Sequence, residues 1–187
     1  YNMGGIPTNY FGEVLAKNTD GSDKIVDGLM AVGEAACVSV HGANRLGSNS
    51  LIDLVVFGKA AAMKAAEKIK PNSKHESISE AQTQKCLDRF DKIRNSEGST
   101  PTAVLRDKMQ RVMQNKCAVF RTDKTLREGL NEIHEPWKGL SDLSIKDRSL
   151  IFNTDLVEAL EFDNLIRQSQ VTVASAENRK ESRGAHS

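Results

Sequence analysis

The residues best suited to chemistry lie in a loop between a short apolar segment and a long apolar helix. In this loop Gly42 and Gly47 flank Arg45, and the helix is expected to begin near Asn49. The first N–H groups of a helix lack partners and its N-terminal dipole is positive, so an anion or polar acceptor placed there is stabilised by roughly 0.3 to 1 kcal/mol. Arg45 adds a permanent charge with a planar fork that suits a carboxylate. The pattern therefore indicates a site for an anionic or flat ligand.

An acidic residue, Glu34, directly follows the apolar segment that precedes this loop. Acidic residues placed just after a strand accept hydrogen bonds from ribose hydroxyls in dinucleotide-binding folds. The glycine spacing, however, is neither GxGxxG nor a P-loop. The residues alone therefore leave a second interpretation open, in which the loop is structural, Arg45 forms an ion pair and Glu34 lies on the surface.

A hairpin and a further short strand are predicted in the part of the chain that precedes the loop. Residues 9–17 and 24–26 flank the turn residues Asp20-Gly21, which indicates a β-hairpin. Residues 28–33 are apolar and end at a glycine, which indicates a short buried strand. These elements are expected to carry Glu34 into the site.

A long helix over residues 49–69 is predicted to follow the loop, with Ser48 or Asn49 as its cap. The helix is apolar on most of its faces, which is typical of a helix buried in a protein larger than 187 residues. The chain also begins at Tyr1 and not at a methionine, so we expect it to be part of a longer protein.

Composition divides the chain near residue 72. Residues 1–58 hold nine of the 13 glycines but only nine of the 26 basic and 25 acidic residues. The charged fraction thus rises from about 16% to about 33% along the chain, which indicates two structural regimes. We predict domains over residues 1–72 and 73–187, with the boundary in the polar stretch 71–77. The fold class is α+β.

The second region is predicted to be an antiparallel helical bundle, because helix signals recur with short links between them. The predicted helices cover residues 79–94, residues 101–120 with Thr100 as N-cap, a segment from Thr122 to a stop or kink at Pro136, and a last helix capped by Asn153 or Thr154.

Charge and composition exclude several classes of protein. A formal net charge of +1 is too small for sequence-blind binding to nucleic acid. No run approaches 18 apolar residues, so no membrane span is predicted. Three cysteines without CxxC spacing indicate a reducing compartment. His75 and His134 are expected to be solvated, and without a cluster of ligands no metal site is predicted.

Four stretches resemble the flavoprotein family that comprises succinate dehydrogenase, fumarate reductase and aspartate oxidase. They are MGGIPTN at 3–9, GEAAC at 33–37, HGANRLGSNSL at 41–51 and RKESRGAH at 179–186. The stretch at 41–51 is the most specific to this group. Within the group, Pro7-Thr8-Asn9 and residues 153–158 look most like succinate dehydrogenase.

The resemblance implies FAD as cofactor and assigns roles to particular residues. Glu34 matches the FAD-binding acid, Ser50 and Leu51 match flavin contacts at the helix start, and Arg45 matches the arginine that binds a substrate carboxylate. Further candidates, for which structural roles stay open, are Gly33, His41 and Asn49. Near the C-terminus His186 is expected to serve docking or interdomain ion pairing instead of chemistry.

In this family a substrate-binding histidine stands immediately before the position of Tyr1, so we assign no catalytic residue within the chain and expect the chain alone to be inactive. The resemblance implies that residues 1–72 form the end of a Rossmann-like FAD-binding domain and that residues 73–187 form an incomplete helical C-terminal domain.

The function implied by the resemblance is oxidation of succinate to fumarate by hydride transfer to FAD. Electrons would pass through an iron–sulfur subunit to quinone, in a complex with membrane-anchor subunits, and the chain would lie peripherally on the cytoplasmic or matrix side of an inner membrane. A fumarate reductase or L-aspartate oxidase flavoprotein is one alternative. A non-catalytic helical interaction module is the other.

Overall fold

A computed structural model describes residues 4–184 and residue 186. The described chain combines helices with short strands, which confirms the mixed α and β class. It forms two compact units. The first runs to His75 and also includes Arg183 and Gly184, and the second contains Glu76–Ser182 and His186.

The first unit holds two small sheets. Its strands are β1 (Ile6–Pro7), β2 (Glu13–Lys17), β3 (Asp23–Met30) and β4 (Ala36–Cys37). Strands β2 and β3 pair in antiparallel fashion, and β1 and β4 pair in parallel. The predicted hairpin is therefore confirmed.

The hairpin turn follows from the chemistry of its residues. Asp20 accepts hydrogen bonds from the backbone N–H and the hydroxyl of Ser22 at 2.9 and 2.6 Å, and Gly21 takes a left-handed φ of 83°. The prediction of a separate buried strand over residues 28–33 is wrong, because the segment up to Met30 is the end of β3. Among the described residues, the sheet that contains β3 has two strands, β2 and β3. Leu29 on β3 is half exposed and not buried as a central strand residue would be.

The predicted long helix is confirmed as α1 (Asn49–Lys68). Within the described chain its only buried residue is Ala61. The predicted side-chain cap is wrong, because Ser48 stands at the cap position with a left-handed φ of 70° and makes no capping bond within the described residues. Side-chain capping uses an extended backbone at that position.

Helix α1 is tied to the hairpin by a buried carboxylate. Glu13 is 5% exposed and pairs with Lys68 at 2.7 Å, while Asn9 donates to its other oxygen at 2.8 Å. The hydrogen bond from Lys68 holds the pKa of Glu13 below its usual range, and the reciprocal bond raises the pKa of Lys68. Lys64 lies over the ring of Phe11 at 5.0 Å. These contacts fix the helix that begins at the candidate site.

The second unit is mainly helical. Its elements are α2 (Glu80–Arg94), β5 (Thr100–Pro101), α3 (Thr102–Lys116), α4 (Asp123–Glu132), α5 (His134–Gly139), β6 (Leu143–Ser144) and α6 (Thr154–Asn178). Short 3₁₀ turns occupy Leu140–Asp142 here and Gly33–Ala35 in the first unit.

Three of the predicted helix starts are confirmed by their capping bonds. Ser79 caps α2, Thr122 closes a capping box with Thr125 at α4, and the Asn153 side chain accepts from the N–H of Leu156 at 2.8 Å at α6. Each of these signals is local, because the cap and the N–H it satisfies lie within three residues of each other.

The predicted start of α3 is wrong. Thr100 and Pro101 form β5, which pairs in parallel with β6, and the Thr100 hydroxyl donates to Asp142 at 2.7 Å instead of capping the helix. The helix also ends at Lys116, earlier than predicted.

Helix α4 ends before Pro136, as predicted, and the proline lies in the first turn of α5, where its missing N–H costs no hydrogen bond.

The core of the second unit lies along α6. Phe162 and Ile166 on α6 are fully buried. They pack in one cluster with Leu105, Met109, Ile133 and Leu143. A second cluster near the C-terminal end of α6 contains Cys117, Leu126, Val173 and Ala176. In the part of the chain that the structure describes, no helix has the length and apolar character needed to cross a bilayer.

Candidate functional site

The loop from β4 to α1 has a backbone that is unusual along its whole length. Ser39, Gly42 and Ser48 all adopt left-handed φ values, of 66°, 62° and 70°. Such a conformation is easy for glycine and unfavourable for serine. The loop therefore changes direction sharply at both ends and in its middle, and this path carries Arg45 back towards Glu34.

Arg45, Glu34 and Ser50 meet at the start of α1. The Arg45 Nη1 atom donates to Glu34 Oε1 at 3.3 Å, and the Ser50 hydroxyl donates to the same oxygen at 3.5 Å. The Arg45 side chain is 19% exposed, whereas that of Glu34 is 58% exposed. Three residues predicted separately thus form one cluster.

The ion pair at Arg45 is one of the two possibilities that the sequence left open, but its partner was not predicted. Because Glu34 is exposed and the contact is long, the pair contributes at most about 1 kcal/mol. A ligand carboxylate that meets the guanidinium through two hydrogen bonds is a stronger partner. The observed pair is therefore compatible with ligand binding by either side chain.

The N-terminus of α1 presents an open and partly apolar surface. Ser48 provides no side-chain cap within the described chain, so the first turn keeps the positive end of the helix dipole. Asn49 begins the helix, and Leu51 in the same turn is 69% exposed. Leu46 in the preceding loop is 72% exposed. An apolar ligand with a polar acceptor at one edge matches this combination.

The predicted candidate His41 binds Asp53, a residue that was not predicted from the sequence. Its Nε2 atom lies 2.6 Å from Oδ2 of Asp53, and the two side chains are 25% and 11% exposed. Asp53 is on α1, four residues after Asn49. A signal was available: a carboxylate inside an apolar run is rarely buried without a partner.

Gly33 supports the site through close packing. It has a φ of 67°, and a Cβ atom at this position would lie 2.1 Å from Cδ2 of Leu54 on α1. Gly184 plays a similar role, because its Cβ atom would lie 2.8 Å from the backbone oxygen of Ala43 in the loop. Both glycines allow neighbouring segments to approach the loop and the helix more closely than an L side chain would permit.

His186 belongs to the second unit. It is 7% exposed, its Nδ1 atom is 3.0 Å from Arg121 Nη1, and its Nε2 atom is 2.9 Å from the backbone oxygen of Arg179. Arg121 also donates to the backbone oxygens of Cys117 and Ala118. These bonds fasten the residues after α6 to the connection between α3 and α4. His75 and His134 are exposed, which confirms that prediction.

Two family models match the chain. Residues 1–51 match the model described as an FAD binding domain, which spans the described cluster of Glu34, Arg45 and Ser50. Residues 106–187 match the model described as the C-terminal part of fumarate reductase flavoprotein.

Curated relatives match the chain over its whole length. The succinate dehydrogenase flavoprotein subunit of Rickettsia bellii is 61% identical over 186 residues, and the mitochondrial succinate dehydrogenase [ubiquinone] flavoprotein subunit of Oryza sativa is 55% identical. The fumarate reductase flavoprotein subunit of Proteus vulgaris is 40% identical over 189 residues. The chain spans 31% of the Rickettsia protein and 30% of each of the other two.

Solved structures give the same grouping. A variant of FrdA from the quinol fumarate reductase of E. coli superposes with a TM-score of 0.84 at 35% identity, covering 97% of this chain and 30% of that one. The Mycobacterium smegmatis Sdh1 complex in its apo form gives a TM-score of 0.78 at 27% identity, covering 86% of this chain and 27% of that one.

Proposed function

Because this chain belongs to the flavoprotein family of succinate dehydrogenase and fumarate reductase, we propose that it is part of a flavoprotein subunit that oxidises succinate to fumarate. The observation that carries the proposal is the 61% identity over the whole chain to a succinate dehydrogenase flavoprotein subunit, against 40% to a fumarate reductase subunit. The chain spans about 30% of these relatives, so the activity proposed is that of the longer protein.

FAD is the cofactor that this reaction requires, and the residues at the start of α1 fit it. The first turn of α1 has no side-chain cap among the described residues, and exposed Leu46 and Leu51 flank it. A flavin ring offers a flat apolar face and a polar edge that becomes negative on reduction, which suits this surface. Bound FAD would supply the acceptor for a hydride from a carbon of succinate.

The exposed carboxylate of Glu34 is the group available for ribose hydroxyls, as acidic residues after a strand are in dinucleotide-binding folds. Ser50 and Leu51, in the first turn of α1, would contact the flavin edge. The backbone of Asn49, which begins α1, and of Gly33, in the turn before β4, would lie near the flavin. His41 would add a polar contact from the loop, and its bond to Asp53 gives it a structural role as well.

Arg45 is the residue proposed to bind a carboxylate of the dicarboxylate substrate. Its side chain is mostly buried, which fixes the direction of the guanidinium, and its position beside the start of α1 places it near the proposed flavin surface. The group stays charged at neutral pH, so it orients and neutralises the substrate and does not remove a proton. Correct orientation of the two reactants is itself a large part of catalysis in such a reaction.

We propose a finer description of the fold on the same basis. Residues 1–72 would be the end of a Rossmann-like FAD-binding domain, and residues 73–187 an antiparallel helical bundle. The match of residues 1–51 to an FAD binding domain and of residues 106–187 to a flavoprotein C-terminal model supports this division. The packing of α6 against α3 and α4 supports the bundle.

The proposed partners are an iron–sulfur subunit and membrane-anchor subunits, which would carry electrons to quinone. The subunit would lie peripherally on the matrix or cytoplasmic side of an inner membrane. Support comes from similar proteins: one solved relative is a quinol–fumarate reductase with menaquinol, another is Sdh1 with UQ1, and plant and frog relatives are mitochondrial.

Substrate assays of the full-length protein test the proposal. We expect succinate to reduce an artificial dye acceptor in a flavin-dependent reaction. A fumarate reductase flavoprotein is the second candidate, favoured by the 35% identity to the E. coli quinol fumarate reductase chain. It would be supported by turnover of fumarate with a reduced dye that is much faster than turnover of succinate. Activity on L-aspartate alone would contradict both.

A further inference from the structure

The loop that carries Arg45 contains two serines in an unfavourable backbone conformation. Ser39 and Ser48, at its two ends, both lie in the left-handed region, with φ values of 66° and 70°. Residues other than glycine stay in this region only when the surrounding structure over-determines them. Contacts from outside residues 39–48 must therefore hold the loop.

A short side-chain bond between His41 and Asp53 joins this loop to α1. It measures 2.6 Å, against 3.3 Å for the pair of Arg45 and Glu34. The bond is also shielded, since the Asp53 side chain is 11% exposed and that of His41 is 25% exposed. Charged hydrogen bonds of this length and burial are the strong ones.

The partner of His41 belongs to a rigid element. Asp53 lies one turn into α1, and α1 is fastened at its other end by the pair of Lys68 and Glu13. A carboxylate that accepts from one nitrogen of an imidazole fixes both the tautomer and the direction of the ring. The bond therefore ties the first half of the loop to a helix that is itself held by contacts outside the loop.

We propose that Asp53 is a positioning residue that acts through His41 to hold residues 39–48 in the conformation that presents Arg45. This inference rests on the proposed function, in which Arg45 binds the substrate carboxylate. Without the bond, Ser39 and Ser48 relax towards ordinary φ values, and Arg45 no longer points in one direction. Asp53 touches neither substrate nor cofactor in this role.

The test uses the full-length flavoprotein with three variants on the same helix. Asp53→Ala removes the acceptor, and Asp53→Asn keeps an acceptor oxygen while removing the charge. Glu67→Ala is the matched control, because Glu67 is an exposed carboxylate on α1 that pairs with Lys64, one helical turn away. Two readouts are needed: amide hydrogen exchange of peptides covering residues 39–48, and KM and kcat for succinate at equal flavin content.

We expect Asp53→Ala to speed exchange in residues 39–48 at least tenfold and to raise KM for succinate at least tenfold, with a smaller change in kcat. Asp53→Asn, whose neutral bond is weaker, should recover part of both losses, and Glu67→Ala should match the wild type. If Asp53→Ala and Glu67→Ala give the same exchange and the same KM, the inference is overturned. A uniform loss of flavin and stability without a specific change at residues 39–48 also overturns it.

A variant on the other side of the bond keeps the test decisive if Asp53→Ala does not fold. His41→Ala removes the same bond from the loop. The KM and exchange rate of the double variant should be no worse than those of the more impaired single variant, because the effects of two residues that act through one bond are not additive. Additive losses would contradict the inference. The proposed function fails separately: if the wild-type protein does not oxidise succinate, the exchange of residues 39–48 still decides the role of Asp53.

Discussion

Replacing Gly33 by alanine tests whether the turn before Glu34 supports flavin binding. Gly33 has a φ of 67°, and an added Cβ atom would lie 2.1 Å from Cδ2 of Leu54. An L-residue in this backbone region costs about 1 to 2 kcal/mol. Leu54 is 41% exposed, so it can escape the clash by leaving its rotamer, at a further cost of about 0.5 to 1.5 kcal/mol.

Together these terms destabilise the binding-competent turn by about 1.5 to 3.5 kcal/mol. A protein whose competent conformation is less populated binds its ligand more weakly in proportion, so the affinity for FAD should fall about 10- to 400-fold. The assay is a titration of the flavin-free full-length protein with FAD, followed by flavin fluorescence, together with the flavin retained per polypeptide after purification.

Two further variants separate the causes. Gly47→Ala in the loop before α1 is the control, because Gly47 has no left-handed φ and its added Cβ atom would meet nothing within 4 Å. We expect it to bind FAD within about twofold of the wild type. Leu54→Ala in the Gly33→Ala background should restore only the part of the loss that comes from the clash. Equal FAD affinity for Gly33→Ala and Gly47→Ala would contradict a role for the Gly33 turn in flavin binding.

The remaining predictions concern the elements that hold the site and the core. Because the bond to Lys68 lowers the pKa of Glu13, the stability that this pair contributes is present above the ordinary glutamate pKa and is lost as the pH falls through the lowered value. Thermal unfolding of Lys68→Met should therefore differ from the wild type at neutral pH and converge with it in acid, and a constant difference would count against the pair. Phe162→Ala empties a fully buried site and should lower the free energy of unfolding by about 3 to 5 kcal/mol in denaturant titrations, whereas a loss below about 1 kcal/mol would show that the α6 core is misplaced. Asn153→Ala removes the cap of α6 and should cost about 0.5 to 2 kcal/mol in the same assay, with Asn153→Asp retaining most of the stability.

Short-range signals in the sequence were sufficient for most helix boundaries. Thr122 and Asn153 cap helices α4 and α6 through bonds that span three residues, so the chain around each cap determines it. The predicted start of α3 is wrong because the Thr100 hydroxyl donates to Asp142, a residue 42 positions away, and does not cap the helix. Propensity and capping rules do not include such a partner, and the tertiary contact decided the local structure.

The candidate site was predictable in its residue types but not in its pairing. Glycines, an arginine and a helix start indicated a site for an anionic or flat ligand around Arg45, and the family resemblance added flavin. The loop path that joins Arg45 to Glu34, and the bond from His41 to Asp53, depend on left-handed serines that no local pattern specifies. The approach of Gly184 to Ala43 likewise joins segments far apart in the chain.

The most direct test of the account is the kinetic effect of Arg45→Lys in the full-length protein. Lysine keeps the charge but loses the planar fork, so two-point binding of a carboxylate is lost while the pairing with Glu34 can persist. We predict that kcat/KM for succinate falls at least about 100-fold, equivalent to about 2.7 kcal/mol of transition-state stabilisation, with flavin content unchanged. Succinate oxidation within about threefold of the wild type at equal flavin content would contradict the assignment of Arg45 to the substrate carboxylate.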